Sequence, residues 1–137
     1  MTERRVDVFF YGLFMDEDVL AASNVIAENP RHAYVNDYAL TIGSRATLVP
    51  SVGAKVYGMI YALTHHELNG LYGAPGLEGY RPEALLTTSL AGEPVPALCY
   101  NLAVQPSTLE ANPEYTAKLK GALEKLGFPS DYVLGVS

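Results

Sequence analysis

Thiol chemistry is nearly absent from this sequence: Cys99 is its single cysteine. One cysteine excludes an internal disulfide and a cysteine-based zinc site, and it suits a reducing compartment. Basic runs are absent beyond Arg4-Arg5, and the formal net charge is -6 with a pI of about 4.9. Nucleic acid and anionic membrane surfaces are therefore excluded as partners, although a local site can still hold a small anion against the net field. No apolar run approaches the length of a membrane span. The N-terminus leads into a short apolar stretch broken by Asp7, too short for the core of a signal peptide. A cytoplasmic protein is expected. There is no glycine-rich phosphate loop, no serine nucleophile elbow and no paired metal-carboxylate motif, so neither cofactor nor metal is expected. Internal repeats and low-complexity stretches are absent too.

What remains is ordinary globular material. The chain has 137 residues, 49% hydrophobic and 18% charged, a balance that describes one packed domain over 1–137. Val6–Tyr11 is β-branched and aromatic and reads as a buried strand stopped by Gly12. Asp16 to about Ala22 reads as a short helix with acids in its first turn. Asn29-Pro30 marks a break. Arg31–Pro50 is strand-like, with Gly43-Ser44 a bend or bulge inside it, and Ser51-Val52-Gly53 reads as a turn. Lys55–Leu63 is the next strand; Gly58 within it signals close approach of another backbone or of a ligand.

Thr64-His65-His66-Glu67 has the spacing of a capping box, which opens a helix to about Tyr72. Tyr80–Thr88 and Val95–Val104 read as strands joined by a turn at Ala91–Pro94. Asn112 as N-cap and Pro113 at the first helical position start a helix whose apolar residues Tyr115, Leu119, Ala122, Leu123 and Leu126 share one face. Gly127 closes it and Pro129 stops it from resuming. That stripe must be buried on its own sheet or on a partner. Strands without regular βαβ alternation describe an α+β chain with a mostly antiparallel or barrel-like sheet.

Several residues are candidates for chemistry. In Tyr11-Gly12-Leu13-Phe14-Met15 a strand meets a helix through glycine, and backbone N–H groups in such a turn can converge on a carboxylate; the alternative is an ordinary strand end with core aromatics. Glu78, in a glycine-rich loop between Leu77 and Gly79, is either a partly desolvated general base or a solvated loop acid. His65 and His66 diverge by about 100° around a helix and are poor co-ligands. His32 has no acid or cysteine motif beside it and reads as structural. Cys99 lies in an apolar strand with no local base and reads as an inert thiol.

These pieces together resemble the γ-glutamylcyclotransferase-like family, which includes the AIG2-like proteins. The resemblance rests on Tyr11-Gly12-Leu13-Phe14 at the end of the first strand, on Lys55–Leu63 with its V-x-G-x-x-Y-x-L pattern, on the short helix and glycine-rich loop, on the strand from Tyr80, and on Ala97 to Tyr100. It runs from about Val6 to Val104; the helical extension at about 112–134 looks like the addition of a bacterial subgroup. The resemblance implies a small, mixed, mostly antiparallel β-barrel flanked by short helices, with a C-terminal helix. It also implies cyclisation of a γ-glutamyl amine or amino acid to 5-oxoproline with release of the amine. Intramolecular closure asks for positioning and one base.

By that resemblance Tyr11, Gly12, Leu13, Phe14, Tyr80 and Tyr100 contact the substrate, with amides of the turn holding it. The family's glutamate belongs where this chain has Tyr72-Gly73-Ala74-Pro75, and no acid stands there. The nearest carboxylates are Glu78 and Glu83, and Glu78 is the candidate base. The competing expectation is a non-catalytic relative that keeps the pocket for a small γ-glutamyl or carboxylate ligand. The sequence does not specify the oligomeric state.

Overall fold

The computed structural model describes residues 3–107 and 109–137 of the chain. Five strands close into a barrel in the order β1-β3-β2-β4-β5. They are β1 (Arg5–Phe10), β2 (Glu28–Ile42), β3 (Ala46–Thr64), β4 (Tyr80–Ser89) and β5 (Pro94–Leu102). Every contact is antiparallel except the closing one, where β1 runs parallel to β5 with Val8 opposite Leu98. The helices are α1 (Glu17–Ala22), α2 (His65–Tyr72), α3 (Pro113–Lys125) and α4 (Ser130–Gly135), and a 3-10 turn spans Leu13–Met15.

Strand alternation divides the core in two. Along β1, Phe9 and Tyr11 enter the barrel interior with Ala33, Val35, Val56, Ile60 and Cys99. Val8 and Phe10 face outward into a second cluster built with Leu20, Leu68, Leu71, Leu119 and Leu123 from the helices. Leu119 and Leu123 are fully buried, so the stripe on α3 is covered by the protein's own barrel. At about 25 cal/mol per Å² of apolar surface, such leucines each stabilise the docked helix by roughly 2 kcal/mol. Lys125 then ties α3 to α1 through Asp16 and Asp18, each at 3.0 Å.

Two turn signals take a different form in the structure. Gly43–Arg45 reverses the chain completely, so 31–50 is the two arms of a hairpin and not one bent strand. Ser51–Gly53 is not a turn: β3 runs straight through it. The positive φ of Gly53 is paired with a positive φ at Asp37 across a register shift between Asn36 and Tyr38. The Gly53 N–H donates to the Asp37 carboxylate at 2.9 Å, so a β-bulge absorbs the local geometry that a turn would otherwise use. Asn29-Pro30 lies inside β2, at another register shift. At Gly58 the close approach is to backbone: a Cβ there would collide with the Phe10 carbonyl and the Phe9 ring.

The helix starts follow the sequence. Thr64 accepts the Glu67 N–H at 3.1 Å, and the Glu67 carboxylate accepts the Thr64 N–H at 2.9 Å. Asn112 accepts the Tyr115 N–H at 3.1 Å with Pro113 next to it. Pro129 does stop α3, but a new short helix, α4, starts directly after it. No helix among the described residues is long and apolar enough to cross a membrane.

Candidate functional site

A cavity of about 230 Å³ lies at the C-terminal end of β1, beyond its parallel pairing with β5 at Val8 and Leu98. That is the volume of about eight liquid waters, enough for a ligand of amino-acid size. Its wall combines the end of β1, the 3-10 turn, the end of α2 and the first residue of β4. Tyr11, Gly12, Leu13, Phe14, Tyr80 and Tyr100 all line it, beside Tyr72, Leu77 and Tyr115. Among the described residues no carboxylate does.

Local bonding explains why the turn is presented intact. The N–H groups of Met15 and Asp16 donate to the Gly12 and Leu13 carbonyls at 3.0 and 3.1 Å. The N–H groups at the front of the turn fall outside that pattern, as at any helix start. Tyr61 donates its hydroxyl to the Met15 carbonyl at 2.5 Å and pins the back of the turn. Tyr11 donates to the Tyr100 carbonyl at 2.8 Å, and Tyr80 to the Ala46 carbonyl at 2.5 Å. The Tyr11 and Tyr80 hydroxyls therefore brace the barrel rim, while their rings form wall. Gly12 is extended, so its backbone does not call for glycine. Space does: a Cβ at Gly12 would collide with the hydroxyl of Tyr115, reaching in from α3.

The floor is a cluster of phenols. Tyr72 stacks on Tyr100 with centroids 3.9 Å apart and planes 8° apart, and meets Phe14 edge-on at 6.0 Å and Tyr80 at 5.9 Å. Burial pushes the Tyr72 phenol well above its usual value, with nearby Cys99 and the other phenols adding to the effect. Burial also raises Tyr100, and raises Tyr80 to about 12. Tyr115 is raised by burial too, against the pull of the Leu13 N–H on its oxygen. All of these groups are neutral hydrogen-bond donors at any ordinary pH, not bases. The Arg45 guanidinium lies 5.7 Å from the Tyr80 ring centroid without lining the cavity.

The Gly76–Gly79 loop does not bring Glu78 to this cavity. Leu77 lines the wall, whereas Glu78 is exposed. The Glu78 carboxylate accepts the Gly76 N–H at 3.1 Å. Its own amide and that of Gly76, then Arg45, hold it below the usual carboxylate range. A general base is tuned the other way, by desolvation. Glu83 is exposed on β4 opposite Cys99, also away from the wall. Burial pushes the Cys99 thiol up and leaves it inert. His32 donates from Nε2 to the Leu126 carbonyl at 2.7 Å and packs on Phe128, holding the end of α3.

Tyr72 and Tyr115 are two of the wall residues that the sequence did not single out; Phe9, Phe10, Val19, Ala46 and Leu77 are the others. Tyr72 was visible as the residue standing where an acid was expected, but its ring direction was not. Tyr115 was legible only as part of an apolar helix face, since the docking of α3 decides what it touches.

The sequence profile described as gamma-glutamyl cyclotransferase, AIG2-like, matches residues 8–118. No curated protein sequence matches the chain at a significant level. Among solved structures, an uncharacterized human protein superposes with a TM-score of 0.82 at 19% identity, covering 98% of this chain and 89% of that one. A structure titled gamma-glutamyl cyclotransferase gives 0.81 at 17% identity, covering 97% and 88%. A mouse AIG2-like protein gives 0.60 at 20% identity, covering 82% and 91%. With 111 consecutive residues inside the profile and the turn, barrel and cavity in place around them, this chain belongs to the AIG2-like gamma-glutamyl cyclotransferase family.

Proposed function

We propose that the protein is a small-molecule-binding member of this family that keeps the pocket and does not run the cyclisation. The absence of a carboxylate from the cavity wall among the described residues carries this reading: the reaction asks for a base at the amine, and the ionisable side chains of the described wall are phenols that stay protonated. The ligand is a γ-glutamyl compound or another small carboxylic acid, its carboxylate held by the N–H groups of the Tyr11–Phe14 turn, where it takes the place of the Tyr115 hydroxyl at the Leu13 N–H, with Tyr80 and Tyr100 as flanking contacts. The lone buried thiol fits work in a reducing, cytoplasmic setting.

A second reading is supported by family membership and by the intact turn: a γ-glutamylcyclotransferase that releases 5-oxoproline and an amine. It assigns the base to Glu78, whose carboxylate would leave the Gly76 amide and swing past Leu77. Calorimetric titration against a panel of amino acids and γ-glutamyl amines, with 5-oxoproline measured in the same mixtures, separates the two. Binding without 5-oxoproline supports the first reading. Steady 5-oxoproline release supports the second. Gly12→Val fills the turn and is expected to weaken binding roughly 100-fold, equivalent to about 2.7 kcal/mol; unchanged affinity would place the ligand elsewhere.

A further inference from the structure

We infer that Tyr115 gates the carboxylate site: in the free protein its hydroxyl occupies the place at the Gly12–Leu13 turn that a ligand carboxylate must take, and the start of α3 sets how readily it leaves. The inference rests on the carboxylate-binding reading above and adds the regulation of that site. The phenol stands directly over the turn. A Cβ on Gly12 would collide with the Tyr115 oxygen, and the ring carbon that bears this oxygen lies 3.8 Å from the same point. Gly12, Leu13 and Tyr115 all line the cavity. The Leu13 N–H is drawn to the phenol oxygen, so one of the amides that a carboxylate would use is engaged from within the chain.

The helix holds the phenol there. Its first turn is fastened by Asn112, which accepts the Tyr115 N–H at 3.1 Å and donates from Nδ2 to the Ser44 carbonyl at 3.2 Å. Pro113 and Glu114 beside it are exposed, whereas Leu119 and Leu123 are fully buried further along. The body of α3 is thus anchored by burial, and its start mainly by one side chain. A phenol oxygen is a neutral acceptor. A carboxylate binds the same N–H through a charge-assisted bond of about twice the strength, which lets it displace the phenol. Every ligand bears the cost of that displacement: a site open for about one-tenth of the time binds about tenfold more weakly than its intrinsic affinity. The coupling is reciprocal. A bound carboxylate frees Tyr115 and loosens the start of α3, and a change that loosens the start of α3 strengthens binding.

Calorimetric titration of wild type, Tyr115→Phe and Asn112→Ala with γ-L-glutamyl ethylamine and with L-glutamine tests the gate. Tyr115→Phe keeps the ring and removes the oxygen over the turn, so it is expected to bind both compounds about tenfold more tightly. Asn112 lies outside the cavity wall. Asn112→Ala is expected to tighten binding about threefold while lowering the melting temperature. Binding by Tyr115→Phe with none by the wild type also supports the gate. Unchanged or weaker binding by Tyr115→Phe overturns it, and the carboxylate reading then stands on the binding of the wild type. No binding by the wild type or by either variant overturns the carboxylate reading itself, and the gate with it. An Asn112→Ala protein that folds and binds no more tightly than wild type overturns the part given to α3. Wild-type NMR decides the matter if Tyr115→Phe does not fold: at saturation with γ-L-glutamyl ethylamine the Leu13 amide and Tyr115 ring resonances should shift together, and a Tyr115 ring that does not respond overturns the gate.

Discussion

The N-terminal end of α2 and the segment that leaves its C-terminal end, Tyr72 to Tyr80, are separated by two turns of helix and use polarity in opposite ways. At the first, Glu67 gathers the Thr64 N–H at 2.9 Å, the Ile26 N–H at 2.8 Å and the Arg5 guanidinium at 3.2 Å. One carboxylate thereby joins α2 to the start of β1 and to the chain entering β2. At the second, the Tyr72 side chain lines the cavity, while the Glu78 carboxylate accepts the Gly76 N–H of its own loop and the Glu78 carbonyl accepts from Arg45. Charge anchors one end, and neutral phenols shape a site at the other. A carboxylate held by several amides is fixed as an ion and serves structure; a cavity walled by phenols stays uncharged and open to a ligand.

That contrast can be broken most forcefully at Glu67. Glu67→Ala removes the capping box and the acceptor of the Ile26 N–H, while Arg5 keeps Glu28 at 2.9 Å and the carbonyls of Ile26 and Ala62; it is expected to cost about 2 kcal/mol of stability, read as a shift in the urea midpoint. Ligand affinity should be nearly unchanged, because α2 remains packed through Leu68 and Leu71, both 2% exposed. An equal loss of affinity would mean that the two ends of α2 act as one unit.

Acid sharpens the same point with a smaller effect. Burial alone would raise the Glu67 carboxyl; the amides of Thr64 and Ile26 and the charge of Arg5 outweigh it and hold it below its ordinary value. Its folded value is thus depressed, so its contribution is complete above the ordinary carboxylate range and is lost as pH falls through the folded value. The stability gap between wild type and Glu67→Gln should be constant at neutral pH and narrow in acid. A gap that widens on acidification contradicts the assignment.

The smallest effect is expected at Glu78. Glu78→Gln should leave the melting temperature and ligand affinity as they were, since that carboxylate is exposed and contacts only its own loop. Loss of 5-oxoproline release in this variant, from a wild type that shows it, would restore Glu78 as the base.

The sequence by itself determined the features that depend on neighbours in the chain. The capping box at Thr64–Glu67, the Asn112-Pro113 start of α3, the end of β1 at the Tyr11–Phe14 turn and the apolar stripe on α3 are all set within a few residues. Family motifs extended this to the barrel and to Tyr80 and Tyr100 as wall. Only the tertiary structure decided where side chains from distant segments meet. Gly53 signalled a positive φ, but pairing with Asp37 made it a bulge instead of a turn. Glu78 and Leu77 are adjacent, and the course of their loop turns one outward and the other into the wall. Tyr115 reaches Gly12 because α3 is seated by Leu119, Leu123 and Lys125, residues about a hundred positions along the chain from α1. Local signals set conformation; which groups share a cavity follows from burial and packing of the whole chain, and no short stretch of sequence carries that information.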